Sequence, residues 1–131
     1  MDGIFHITEP ALWAQAVVDG SYVRSTRGAS LAEVGFIDCS FQHQVERVAS
    51  YVYQDCVGPL LLLEVDPEEI PAEIRVENLD GGGEGFPHIH GPLPTDAVKA
   101  VHELVRQAAG WELPKDLELR RDAGDRATGN P

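Results

Sequence analysis

The sequence predicts a single α+β domain. Short apolar runs with alternating or near-continuous hydrophobicity mark strands, and longer stretches between them carry apolar residues at helical spacing. The length, 131 residues, suits one core and is too short for two.

Residues 4–8, IFHIT, alternate and read as a first strand. Thr8 then caps a helix with Glu9 and Pro10 in its first turn, Leu12, Trp13, Ala16 and Val17 as its apolar stripe, and Gly20 just past its end. Residues 21–29 read as loop or irregular strand, with Arg24 and Arg27 close together. Residues 35–39, GFIDC, form a second strand. Ser40 is a natural N-cap for a helix to about Tyr53, in which Phe41, Val45, Val48, Ala49 and Val52 share a face.

Residues 59–66, PLLLLEVD, are apolar enough for a central strand covered on both faces. A turn or single helical turn follows at 66–70, and residues 74–78 alternate as a fourth strand. The stretch 79–85, LDGGGEG, is a mobile loop, because glycines supply no side chains to pack. FPHIHGPLP, residues 86–94, is extended, since a residue before proline is pushed out of the helical region. Residues 96–109 carry a helical stripe of Val98, Val101, Leu104 and Val105 that Gly110 would cap. From 115 to 131 the chain is polar without apolar periodicity and reads as a flexible tail, leaving 1–114 as the folded domain.

Ten basic residues face 22 acidic ones, a formal net charge of −12. That field repels phosphate backbones and argues against nucleic acid as a partner. The longest purely apolar run, residues 60–63, is far below the roughly 20 residues needed to cross a bilayer. The N-terminus has neither a basic region nor a long apolar segment of the secretory type, so a cytoplasmic location is expected. Cys39 and Cys56 fit no metal spacing, and Cys39, inside an apolar strand pattern, reads as a small buried residue rather than a nucleophile.

Candidate chemistry follows from strand alternation, which puts residues two apart on one face. His6 and Thr8 share a face of the first strand, Asp38 and Ser40 share one at the end of the second, and His88 and His90 share one if their segment is extended. Were the first two strands neighbours, His6 and Asp38 would come within hydrogen-bond reach as a paired acid and base. Asp38 is the hardest to explain structurally, because an aspartate beside Phe36, Ile37 and Cys39 loses hydration unless something pairs with it. The blander readings are a core role for His6 and helix capping for Thr8 and Ser40. The His-x-His pair raises a metal reading in which Asp38 or His6 supplies a third ligand. Rigid turn geometry at the flanking prolines and Gly91 explains the pair equally without an ion, and no metal site is assigned. The eight acids between Glu64 and Glu84 read as a solvated face. Neither a phosphate-loop lysine nor a Gly-x-Ser-x-Gly elbow is present.

Taken together, FHIT at the start, GFIDCS around residue 38, LLLLEVD, and FPHIHGPLP running on into GPLPTDAV resemble a small bacterial family catalogued as domain of unknown function nine-fifty-two, over residues 3–113. That family is grouped by fold with the ADP-ribosyltransferases and the NAD-consuming RNA 2′-phosphotransferases. The resemblance implies an ADP-ribosyltransferase-like domain with small mixed or antiparallel sheets around a cleft, flanking helices, and NAD as a possible cofactor. It matches His6 to a histidine that holds the nicotinamide-side ribose. It places Asp38 where the phosphotransferases carry a histidine, keeps His88, and puts His90 where a tyrosine is usual. An aspartate repels phosphate, which argues against phosphotransfer, and no glutamate matches the one that stabilises the oxocarbenium-like state. The family usually continues with a strand after GPLP, so residues 97–104 are open between strand and helix.

The expectation is a small-ligand cleft, a nucleotide- or NAD-binding transferase-like site with His6, Asp38 and His88 as catalytic candidates and Thr8, Ser40, Phe86 and His90 as ligand-binding ones. The alternatives are a non-catalytic module that meets a protein partner, and a metal-dependent enzyme built on His88 and His90.

Overall fold

A computed structural model describes residues 1–79 and 81–117. In chain order the elements are β1 (Ile4–Thr8), α1 (Pro10–Asp19), β2 (Ser21–Tyr22), α2 (Leu31–Val34), β3 (Ile37–Asp38), α3 (Val45–Val52), β4 (Leu61–Val65), β5 (Ile74–Glu77), β6 (Phe86–Ile89), β7 (Leu93–Pro94), β8 (Val98–Glu103), β9 (Val105–Gln107) and β10 (Gly110–Glu112). Short 3-10 turns lie at Gln42–Gln44, Pro67–Glu69 and Thr95–Ala97. The result is a small α+β domain with several antiparallel sheets. Among the described residues, no helix is long and apolar enough to cross a membrane.

The first sheet has the order β1-β4-β8 and is antiparallel throughout. Its centre is the leucine-rich strand, as the apolar run requires, and both faces are covered. Ile4, Leu63 and Val65 enter one core cluster with Tyr22, Ile37, Ile89 and Leu93, whereas Phe5, Ile7 and Leu62 enter a second with Val45, Ala49, Leu60 and Trp111. Alternate residues of the same two strands therefore build two cores, one on each side of the sheet.

The second sheet, β3-β6-β5, is amphipathic in the other sense. Ile37, Ile89 and Ile74 stand in one cross-strand row toward the first core, and Asp38, His88 and Arg75 stand in the next. Among the described residues one main-chain bridge joins the two sheets: the Phe5 amide donates to the Ser40 carbonyl and the Ser40 amide to the Phe5 carbonyl, each at 2.8 Å. β1 and the segment of β3 are thus linked at this bridge without being ladder neighbours, since β1 pairs with β4.

That bridge corrects two expected caps. Ser40 holds the sheets together by its main chain, and the helix behind it starts later, as the turn Gln42–Gln44 leading into α3. There the Gln44 side chain reaches back to the Phe41 amide at 2.9 Å. Thr8 is still the last residue of β1, its hydroxyl engaged in the core, so Glu9 occupies the cap position without a side-chain cap bond. Pro10 in the first turn and Gly20 at φ +80 bound α1 as expected.

Within the segment 96–109, Val98–Glu103 and Val105–Gln107 are strand and no α-helix forms. Its backbone groups pair with the central strand, from Leu61–Glu103 to Val65–Val98, and this outweighs a helical stripe whose Val101 and Val105 stay more than two-fifths exposed. Gly110, expected as a helix cap, opens β10 of a hairpin that brings Trp111 into the second core, its indole N–H donating to the Tyr53 carbonyl at 3.0 Å. The glycine loop is anchored at its far end, where Glu84 accepts from Gln44 at 2.9 Å and pairs with Arg47. The acidic run is not uniformly solvated, because Glu64 is 3% exposed and accepts from His102 at 2.8 Å. Residues 115–117 of the expected tail are helical, with Leu117 packed into the second core, and residues 118–131 lie outside the described residues.

Candidate functional site

His6 lies on the core side of β1 and is buried. Its Nδ1 is 2.6 Å from the Asp38 carbonyl oxygen, which can only accept, so Nδ1 carries a proton. Burial lowers the pKa of the ring against the opposing pull of Asp38, which keeps the imidazole neutral. Nε2 is then an acceptor for the Tyr22 hydroxyl at 2.8 Å, and Thr8 Oγ1, 2.8 Å from that hydroxyl, completes the chain of bonds. Burial likewise pushes the Tyr22 phenol well above its ordinary value. His6, Tyr22 and Thr8 form a closed, satisfied network under the sheet. Both ring nitrogens of His6 are committed.

Asp38 is placed differently. Its carbonyl faces His6, and the residue lines a narrow notch with Ser25, Arg27 and Ser40, walled by Phe5, Val48 and Val52. The Ser25 hydroxyl lies 2.6 Å from the Phe36 carbonyl and 3.3 Å from Asp38 Oδ1, so its one proton goes to the main chain. Arg27 donates to the Val52 carbonyl at 3.1 Å and to Asp55 at 2.5 Å, with its guanidinium 5.1 Å from the centre of the Tyr53 ring. The notch holds about 20 Å³, room for a water-sized group. Val48 and Val52 also line a groove of about 450 Å³ along α3, whose other walls are Tyr51, Phe86, Gly82, Gly83 and the Arg47–Glu84 pair. Phe86 and Asp38 belong to the same face of the second sheet, because Asp38 stands opposite His88, two residues from Phe86.

On that same face, His88 and His90 converge on one carboxylate. His88 Nδ1–H donates to Glu77 Oε1 at 2.9 Å and His90 Nε2–H to the same oxygen at 2.8 Å. The segment stays extended beyond β6 because the His90 amide donates to the Glu73 carbonyl at 2.8 Å. Phe36 stacks on His88 with 4.1 Å between ring centres and an interplanar angle of 16°, and leans on His90 at 5.7 Å. The imidazole N–H groups, His90 first and then His88, hold the Glu77 carboxyl below the usual carboxylate range. The ligand atoms these three residues offer all lie within 4.8 Å of one another.

The sequence-derived residues thus fall into three neighbouring groups. His6 and Thr8 lie in the core, and Asp38 and Ser40 line the notch. Phe86 walls the groove, and His88 and His90 meet at Glu77. His6 and Asp38 do come within hydrogen-bond reach, through the main chain of the aspartate rather than its carboxylate. The third donor beside the histidine pair is the Glu77 carboxylate, from neither Asp38 nor His6. Three participants escaped the sequence: Tyr22, Ser25 and Glu77. Glu77 stands across from Phe86, so pairing the fourth strand with FPHIH in antiparallel register would have found it. Cys39 is buried with its thiol pKa pushed up by that burial, which suits a packing residue.

Residues 7–101 match the model of the family described as protein of unknown function (DUF952), and the chain belongs to that family. The crystal structure of protein CC0527 from Caulobacter crescentus is similar with a TM-score of 0.73 and 26% identity, covering 88% of this chain and 96% of that one. A double mutant of the same protein gives the same figures. Its solution structure matches at a TM-score of 0.60 and 28% identity, over 85% and 91% of the two chains. No curated protein matches the chain.

Proposed function

We propose that the protein binds a small nucleotide-like metabolite in the cleft along α3, with Asp38 as the group that recognises its polar end. One observation above all supports this: Asp38 lines a notch with Ser25, Arg27 and Ser40 against the apolar Phe5, Val48 and Val52, and Val48 and Val52 also wall a groove of ligand size. A notch of about 20 Å³ admits a single functional group, so the ligand presents an ammonium, amide or hydroxyl there. Its body then lies between Tyr51 and Phe86, which suits a planar ring.

NAD is the ligand of this class suggested by the grouping of the resembled family with the ADP-ribosyltransferases by fold. In transferase chemistry on NAD, positive charge develops on the ribose as the nicotinamide bond breaks, and Asp38 is the carboxylate available to stabilise it. His6 acts as a positioning residue, since both its nitrogens are bonded within the fold. Ser40 and Phe86 contribute contact surface, and His88 supports Asp38 from the adjacent strand.

A thermal-shift screen with NAD, ADP-ribose and adenine nucleotides tests this. A concentration-dependent rise in melting temperature with a nucleotide, absent in Asp38→Asn, supports it. A flat response across the panel removes the nucleotide reading.

A further inference from the structure

The geometry points to a second site: we infer that Glu77, His88 and His90 bind a divalent transition-metal ion. Two imidazoles on one strand and a carboxylate from the neighbouring strand present donor atoms that all lie within 4.8 Å of one another. Ligands of a tetrahedral ion with bonds of about 2.0–2.1 Å sit about 3.3 Å apart. The two nitrogens are 2.9 and 2.8 Å from the shared Glu77 oxygen, so each of these two pairs opens by about half an ångström to reach that spacing. The ion takes the place of the two N–H protons, each of which moves to the outer nitrogen of its own ring.

Three features distinguish this cluster from a surface coincidence. Phe36 stacks on one imidazole and leans on the other, which fixes the rings before any ion arrives. The strand ladder fixes the backbone of all three ligands, with Glu77 and His88 inside paired strands and His90 held by Glu73. The side chains of Glu77 and His90 are 23% and 21% exposed, so an ion can reach the site from solvent.

Two nitrogens and one carboxylate oxygen select zinc, cobalt, nickel or ferrous iron over magnesium and calcium, which take oxygen ligands. Three protein ligands leave at least one coordination position for water or substrate. The site lies beyond the cleft reading, although His88 stands directly opposite Asp38 and ties the two together.

The full chain, freed of metal by a chelator, is titrated with Co²⁺ by visible absorption and calorimetry, with Zn²⁺ as competitor and Mg²⁺ and Ca²⁺ as controls. One equivalent of Co²⁺ should develop the d–d bands of a four- or five-coordinate ion, and Zn²⁺ should bleach them. Glu77→Gln and His90→Ala, both at half-buried positions, should each weaken Co²⁺ binding at least about tenfold with an unchanged far-ultraviolet dichroism. His43→Ala, at an exposed histidine, should bind as the unaltered chain does. Absence of saturable binding near one equivalent overturns the inference. So does undiminished affinity in both Glu77→Gln and His90→Ala.

Discussion

The Nδ1–H of His6 donates to the main-chain carbonyl of Asp38 at 2.6 Å, which fixes the aspartate backbone and leaves its carboxylate in the notch. One residue is thereby divided between two jobs. Its peptide group belongs to the core, and its side chain belongs to the cleft. Substitutions at the two positions should therefore separate stability from binding.

His6→Ala should cost about 3–5 kcal/mol, because it opens a cavity and strips partners from the buried Tyr22 hydroxyl and the Asp38 carbonyl. Asp38→Asn keeps the backbone and nearly the same volume, and should change stability by less than about 1 kcal/mol. Urea unfolding of both variants measures this. A larger loss for Asp38→Asn than for His6→Ala would reverse the proposed roles.

Tyr22→Phe removes the hydroxyl that joins His6 to Thr8 and leaves the ring in place. It should cost about 1–3 kcal/mol, the penalty of unsatisfied buried polar groups rather than of lost packing. A double-mutant cycle with Thr8→Val should show coupling of about 0.5 kcal/mol or more, whereas additivity would mean the two hydroxyls act independently.

Stability should fall on acidification below pH 6.5, the ordinary histidine value. Burial holds the folded pKa of His6 below that value, so under pH 6.5 the unfolded chain takes up a proton that the folded chain refuses. The unfolded state then binds more protons, and stability drops as pH drops, by at most about 1.4 kcal/mol per pH unit for this one group. Above pH 6.5 both states are neutral and the contribution vanishes. Unfolding free energies at about pH 7.5 and about pH 5.5 should differ less in His6→Asn than in the unaltered chain. Equal differences would mean that His6 protonates in the fold.

Gly110→Ala should destabilise the β9–β10 hairpin. The glycine has φ +158, and an added Cβ would lie 2.8 Å from the Ser50 Cβ, against a side chain whose oxygen accepts from the Trp111 amide. Overpacking at such a contact costs about 1–3 kcal/mol. Near-ultraviolet dichroism should register the disturbance of Trp111, and an unchanged spectrum with unchanged stability would contradict it.

Much of the fold was legible because burial enforces pattern. The leucine-rich strand had to be central, and Gly20 and Pro10 had to bound a helix, since few alternatives satisfy those residues. Failures came where one residue had two sufficient explanations. Thr8 and Ser40 have the chemistry of helix caps, but long-range partners, Tyr22 and Phe5, claim them. The stripe at Val98, Val101, Leu104 and Val105 is helical by spacing, but pairing with β4 decides its conformation. Residue types at the candidate site were visible, whereas their grouping depends on register. His88 and His90 could be seen to share a face, and only the placement of β5 beside β6 brings Glu77 to them.

Calorimetric titration of NAD into the unaltered chain and into Asp38→Asn is the sharpest test of the proposed cleft. Saturable one-to-one binding is expected, weakened at least about tenfold in the variant, the cost of a lost charged hydrogen-bond partner. Melting temperatures should agree between the two ligand-free proteins. Failure of NAD to bind the folded, unaltered chain, or equal affinity in both, would contradict it.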